Sequence, residues 1–60
     1  MSSVYNPEAD TIAEIERLEL ESRAIRRRLS YARTEDDKRV LSKQIDELKT
    51  LIDFLRNRLP

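Results

Sequence analysis

Arginines are the most prominent chemically active side chains in this sequence. Four of them, Arg23, Arg26, Arg27 and Arg28, fall close together. A guanidinium presents a planar fork of N–H donors that binds phosphate or carboxylate groups in a bidentate manner. On a helix, however, consecutive residues point in directions about 100° apart, so Arg26, Arg27 and Arg28 do not form one patch. The pattern favours a solvated helix end. The alternatives are a phosphate site or an acidic-partner site that uses Arg23, Arg27 and Arg28.

Residues that usually carry enzyme chemistry or bind transition metals are absent or poorly placed. The chain contains no cysteine and no histidine. Asp36 and Asp37 are adjacent carboxylates that suit a hard cation, but a helix start explains them better. A chain this short also has little room for the water-poor pocket that acid–base catalysis requires. We therefore expect no enzyme activity, no cofactor and no metal site.

The composition indicates a helical protein. Of the 60 residues 40% are charged, none is glycine, and the two prolines are Pro7 and Pro60. Twelve basic residues balance 12 acidic ones, and this zero net charge argues against a general affinity for nucleic acid, which requires a basic excess. No apolar run approaches the roughly 20 residues that span a bilayer. We expect a soluble, cytoplasmic protein that makes no membrane contact.

The first predicted helix covers residues 7–33 and follows a segment, residues 1–6, that we expect to be frayed. Asn6 can cap the free amides of the first turn, and Pro7 at the first helical position loses no hydrogen bond. Apolar or small residues then recur at alternating spacings of four and three, which predicts a coiled-coil-like seam. This first seam consists of Thr11, Ile15, Leu18, Ser22, Ile25, Leu29 and Ala32.

The second predicted helix covers residues 34–60 and carries the more apolar seam. Thr34 is the predicted N-cap, and the acidic residues 35–37 suit the first turn that follows it. Val40, Gln44 and Leu51 widen one flank of the seam. The second seam itself consists of Leu41, Ile45, Leu48, Ile52, Leu55 and Leu59.

The phase of the two seams predicts a turn near Thr34. Continuing the first seam past Ala32 requires apolar residues at positions that hold Asp36 and Arg39. Because the second seam starts two residues out of register, one straight helix would carry the two seams about 200° apart. A hairpin places them on one side, and it lays the acidic start of helix 1 beside the basic end of helix 2. The alternative fold is a single long or bent helix in a coiled coil.

A hairpin of two antiparallel amphipathic helices leaves apolar surface uncovered, because the apolar arc of helix 2 is too broad for one partner helix. We therefore expect self-association, as a homodimer or higher assembly, into a four-helix bundle. The layout resembles that of the plasmid RNA-binding regulators of the repressor-of-primer type; the resemblance is one of layout only and covers no specific residue. The predicted self-association core is Ile15, Leu18, Ile25, Leu29, Leu41, Ile45, Leu48, Leu51, Ile52, Leu55 and Leu59.

A second stripe on the back of helix 1 is the predicted partner face, and it consists of Ala13, Leu20, Ala24 and Tyr31. Two apolar faces are expected on a helix that meets its hairpin partner on one side and a further helix on the other. The predicted function is that of a small non-enzymatic interaction, adaptor or regulatory protein that binds a protein partner. The alternatives are an RNA- or DNA-binding regulator and a designed bundle without biological function.

Overall fold

Two helices joined by a three-residue connection make up the computed structural model, which describes residues 7–60. Helix α1 spans Pro7–Tyr31 and helix α2 spans Glu35–Arg56. The helices pack against each other along their length. The predicted all-α hairpin is therefore confirmed, and the alternative of a single long helix is wrong. The expected cap at Asn6 and the expected fraying of residues 1–6 lie outside the described residues.

The turn between the helices depends on Thr34. Its backbone is extended, with φ −107° and ψ 152°, and its hydroxyl accepts a hydrogen bond from the Asp37 amide at 3.1 Å. This is the N-cap geometry, in which a side-chain oxygen satisfies an amide that has no partner within the helix. Glu35, Asp36 and Asp37 occupy the first turn of α2, where negative charge is favourable. The acidic run is thus explained by the start of a helix.

Both helices end earlier than the predicted limits of 33 and 60. At the end of α1 the Ala32 amide donates to the Leu29 carbonyl at 3.1 Å, a tightened bond that closes the last turn. At the end of α2 the Arg58 amide donates to the Leu55 carbonyl at 3.1 Å in the same manner. Proline disfavours a helical conformation in the residue before it, so Pro60 opposes continuation of α2 through Leu59.

Replacement of Thr34 by alanine tests the cap. We expect the free energy of unfolding to fall by about 1 kcal/mol, because the Asp37 amide loses its acceptor. Thr50→Ala is the matched control, since the Thr50 hydroxyl donates to the Asp46 carbonyl at 3.0 Å on an exposed mid-helix turn. We expect that variant to stay within about 0.5 kcal/mol of the wild type. Urea unfolding at one protein concentration measures both, and equal midpoints would contradict the role of the cap.

The core lies between the two seams. Ile15, Leu18 and Ile52 form its centre, with Leu48, Leu55 and Leu59 packed against them. Every residue of both seams is buried or half-buried, including the small positions Thr11, Ser22 and Ala32. Even so, no side chain of residues 7–60 is less than 2% exposed. The core is therefore a single strip of contacts and not an enclosed interior.

One ion pair links the two helices across the edge of this core. Arg56 Nη2 donates to Glu19 Oε2 at 2.7 Å, which joins the acidic half of α1 to the basic end of α2. Both side chains are substantially exposed, so the pair contributes at most about 1 kcal/mol and mainly favours the antiparallel orientation. No helix within residues 7–60 is long and apolar enough to cross a membrane.

Candidate interaction surfaces

The hairpin is a slab one helix thick. It measures 54 × 22 × 11 Å, and the smallest dimension equals the diameter of a single helix with its side chains. A layer of this kind has two broad faces, each with a groove between the helices. Residues that directly precede a seam residue lie on one face, and residues that directly follow one lie on the other, because each step rotates the helix by about 100°. The two faces differ sharply in chemistry.

The apolar face is formed by residues that precede the seams, together with the edges of the seams. Its first cavity, nearer the middle of the hairpin, has a volume of about 430 Å³. Acidic Glu21 and Glu47 and basic Arg28 stand at its rim, around an apolar floor. The complete lining is Glu21, Ala24, Ile25, Arg28, Gln44, Glu47, Leu48 and Leu51.

A second cavity extends the apolar face towards the turn. It has a volume of about 470 Å³ and shares Arg28 and Gln44 with the first, so the two form one continuous groove. Tyr31, Val40 and Leu51 in this groove are 79%, 56% and 42% exposed. The lining consists of Arg28, Tyr31, Ala32, Asp37, Val40, Leu41 and Gln44.

The charged face lies on the opposite side and is formed by residues that follow the seams. Its groove, of about 340 Å³, gathers basic and acidic side chains over Ser22 and Ile52 of the core. The bases are Arg23, Arg26, Lys49 and Arg56, and the acids are Glu19 and Asp53. The Arg56–Glu19 pair occupies this groove, so the positive charges here are interleaved with negative ones.

The arginines predicted to form a phosphate or acidic-partner site do not come together. Arg23 lines the charged face, whereas Arg28 lines the apolar face. Arg27 is exposed and lies two residues from each of the seam residues on either side of it, Ile25 and Leu29. It therefore points away from both grooves. The three side chains therefore point in different directions around α1.

Two of the four residues of the predicted partner face come together with another predicted surface. Ala24 and Tyr31 line the same groove as Val40 and Leu51, the widened flank of helix 2. Ala13 and Leu20, the other two residues of the stripe, are exposed, Leu20 by 62%. In an antiparallel pair, the flanks that precede the two seams fall on the same face. The structure thus divides the stripe: Ala24 and Tyr31 belong to the apolar face, whereas Ala13 and Leu20, each two residues from the nearest seam residues, lie on the outer side of α1.

Sequence patterns alone missed two features. Ile12 is 48% exposed and directly follows the seam residue Thr11, so it lies on the same side of the hairpin as the charged face. Arg58 lies over the ring of Phe54, with its guanidinium carbon 5.9 Å from the ring centre. Phe54 directly precedes the seam residue Leu55, and Arg58 directly precedes the seam residue Leu59. These two side chains therefore extend the apolar face beyond its cavities. For Phe54, the signal that could have identified it is this position one residue before a seam residue.

No group of three or more acidic side chains within residues 7–60 is placed to hold a metal ion. Comparison of the chain with protein-family models, with curated proteins and with solved structures finds no match. Function must therefore be inferred from the residues of the two faces themselves.

Proposed function

We propose that this chain is a small, non-enzymatic interaction protein. Two hairpins pair through their apolar faces into a four-helix bundle, and the outer edge of that bundle binds a protein partner. The observation that carries the proposal is the continuous apolar groove along one face of a slab that encloses no interior of its own.

Hydrophobic burial supplies the driving force for pairing. Domains normally consist of at least two packed layers around a core, and one hairpin is a single layer. A second hairpin would cover Val40, Leu48 and Leu51, which are half-buried or exposed in the single chain. Fully burying such a side chain stabilises by about 1.5–3 kcal/mol. These terms are large beside the few kcal/mol that a 60-residue core provides.

The size of the face also suits a stable dimer. Specific interfaces bury about 800 Å² on each partner. The 22 residues of α2 extend about 33 Å beside α1, and the hairpin is 22 Å wide, so the projected area of one face is of the same order. The rim of the groove is polar and its floor is apolar, which is the usual arrangement of an interface. Packing two layers in this way gives the left-handed, near-antiparallel geometry of four-helix bundles.

The partner edge is the part of α1 that projects beyond the groove. Leu20 is 62% exposed, and Ala13 lies seven residues before it on the same side of the helix. Leu20 lies midway between the seam residues Leu18 and Ser22, so it points away from the core and outward from the groove. A partner helix that buries Leu20 would use this edge after two hairpins have paired. Because the apolar face and the outer edge around Leu20 are separate surfaces, a paired hairpin can bind a partner, which is what an adaptor or regulatory role requires.

Nucleic-acid binding, the rival class, is less well supported by the geometry. Recognition of a phosphate backbone requires a continuous basic surface. The charged face combines four basic side chains with Glu19 and Asp53, and Arg28 stands on the opposite face. Mixed charge of this kind suits a solvated surface or contact with a protein.

Lysine substitutions on the two faces test the proposal. Leu51→Lys places a charge in the apolar groove at a position that is already 42% exposed, so the hairpin itself should fold. Ile12→Lys is the matched control, because Ile12 is 48% exposed but does not line the groove. We expect Leu51→Lys to weaken self-association at least roughly tenfold, by about 1.4 kcal/mol, and Ile12→Lys to leave it unchanged. Sedimentation velocity over a concentration series measures both variants, and equal association of the two would contradict the proposal.

A further inference from the structure

The charges along the apolar face determine how a second copy would lie on it. We infer that two hairpins pair with their turns at opposite ends, related by a two-fold axis that passes beside Ala24. This inference rests on the proposed self-association. The observation is that Glu21 and Arg28 line the same cavity from the same flank of α1. They carry opposite charges and stand seven residues apart, about two helical turns.

A two-fold axis halfway between these residues makes the face complementary to itself. The midpoint of Glu21 and Arg28 falls between Ala24 and Ile25, both of which line the groove. Rotation about an axis there runs the two copies of α1 antiparallel. It brings Glu21 of each copy to the level of Arg28 of the other, so the ion pair forms twice. The small side chain of Ala24 permits close approach of the two helices at the axis.

Helix α2 gives an independent indication of the same axis. Val40 and Phe54 both precede seam residues on this face, and they are 56% and 58% exposed. Their midpoint is Glu47, which lines the same cavity as Ala24 and is therefore at the same level of the hairpin. One axis thus pairs Glu21 with Arg28 on α1 and Val40 with Phe54 on α2.

The axis also has an unfavourable consequence, because it brings the two Glu47 side chains towards each other. Glu47, like Glu21 and Arg28, is exposed at the rim of the groove, where water and salt screen charge contacts of either sign. Two Glu21–Arg28 pairs and two Val40–Phe54 contacts oppose this one repulsion. The balance therefore favours the arrangement.

The opposite orientation, with both turns at one end, lacks these charge pairs. It would stack α1 on the partner's α2 at the same level, placing Arg28 over Gln44, one turn from Glu47, and Glu21 over Leu51, where it has no basic partner. Arg28 and Gln44 do line the same two cavities, which shows that they share a level. Apolar contacts are available in both orientations, so the charges select between them.

Charge reversal with mixing tests this orientation. In a dimer of the Glu21→Arg variant, the new arginine of each copy would face Arg28 of the other. In a dimer of the Arg28→Glu variant, the new glutamate of each copy would face Glu21 of the other. We expect each variant by itself to dimerise roughly tenfold more weakly than the wild type, given two reversed pairs per dimer. A mixture of the two restores opposite charges at both contacts, and its dissociation constant should return to within about threefold of the wild-type value. Sedimentation velocity with one variant fluorescently labelled measures the mixed dimer.

Controls separate this inference from the proposal on which it rests. Glu16→Arg reverses an exposed charge that follows a seam residue and so lies off the apolar face, and it should dimerise like the wild type. A wild-type chain that stays monomeric would overturn the proposed self-association itself. A wild-type dimer whose two reversal variants gain nothing from mixing would overturn only the opposite-end orientation.

Discussion

Leu48→Asp is expected to abolish the assembly and to unfold most of the hairpin. Leu48 packs against the Ile15, Leu18 and Ile52 cluster and also lines the apolar face, so it serves both the hairpin core and the proposed dimer contact. A carboxylate there has no partner and must either lose its hydration or expose the core around it. Burial of an unpaired charge costs several kcal/mol, which is comparable with the whole stability of a small domain.

Far-ultraviolet circular dichroism and urea unfolding at micromolar concentration measure the effect. Leu20→Asp is the matched control, because it introduces the same charge at a leucine that is 62% exposed. We expect the control to keep its helicity and its unfolding midpoint to within about 0.5 kcal/mol. Full helicity and an unchanged midpoint in Leu48→Asp would show that the position does not lie in a core.

Ile52→Ala is expected to produce the second largest loss. Ile52 is 7% exposed and belongs to α2, whereas the two residues that it contacts at the centre of the core, Ile15 and Leu18, belong to α1. Truncation of a buried isoleucine to alanine removes apolar contacts and leaves a cavity, at a cost of about 2–5 kcal/mol. Because the core is one strip of contacts, no second layer within the chain can compensate.

The matched control for this truncation is Ile12→Ala. It deletes the same atoms from a side chain that is 48% exposed, so little burial is lost and the expected change is below about 1 kcal/mol. Urea unfolding of both variants at equal protein concentration gives the comparison. Similar losses in the two variants would contradict the placement of the core between the seams.

Much of this fold could be predicted because hydrophobic spacing encodes it directly. The alternating spacing of four and three through Ile15, Leu18 and Ile25 predicts one buried stripe, and these residues are buried in the hairpin. The phase slip between Ala32 and Leu41 predicts the reversal of the chain, and Thr34 supplies the cap that begins α2. Periodicity and capping are local properties, so the local sequence is sufficient to predict them.

The ends of the helices could not be placed as well. No glycine marks the end of α1, and Ala32 and Arg33 have no strong preference against a helix, so the stop at Tyr31 has no clear local signal. The end of α2 at Arg56 similarly depends on a tightened turn through Asn57 and Arg58. Helix ends are set by small differences in free energy, which neighbouring contacts readily reverse.

The surfaces required the antiparallel arrangement before they could be assigned. Taken alone, the stripe through Ala24 and Tyr31 lies far from the seam of α1 and suggests a separate face. Once the helices are antiparallel, that flank shares a side with Val40 and Leu51. The separation of Arg23 from Arg28, in contrast, follows from their spacing on α1 alone. The grouping of Ala24 and Tyr31 with Val40 and Leu51 joins residues far apart along the chain, so spacing within one helix cannot predict it.

Sedimentation equilibrium of the wild-type chain at micromolar concentration tests the proposed self-association most directly. We predict a species of twice the mass of one chain, in exchange with monomer as the protein is diluted, and a thermal midpoint that rises with concentration. Dimer formation at these concentrations corresponds to an association free energy of about 8 kcal/mol or more. A folded, fully helical monomer whose mass and midpoint do not change with concentration would contradict the proposal.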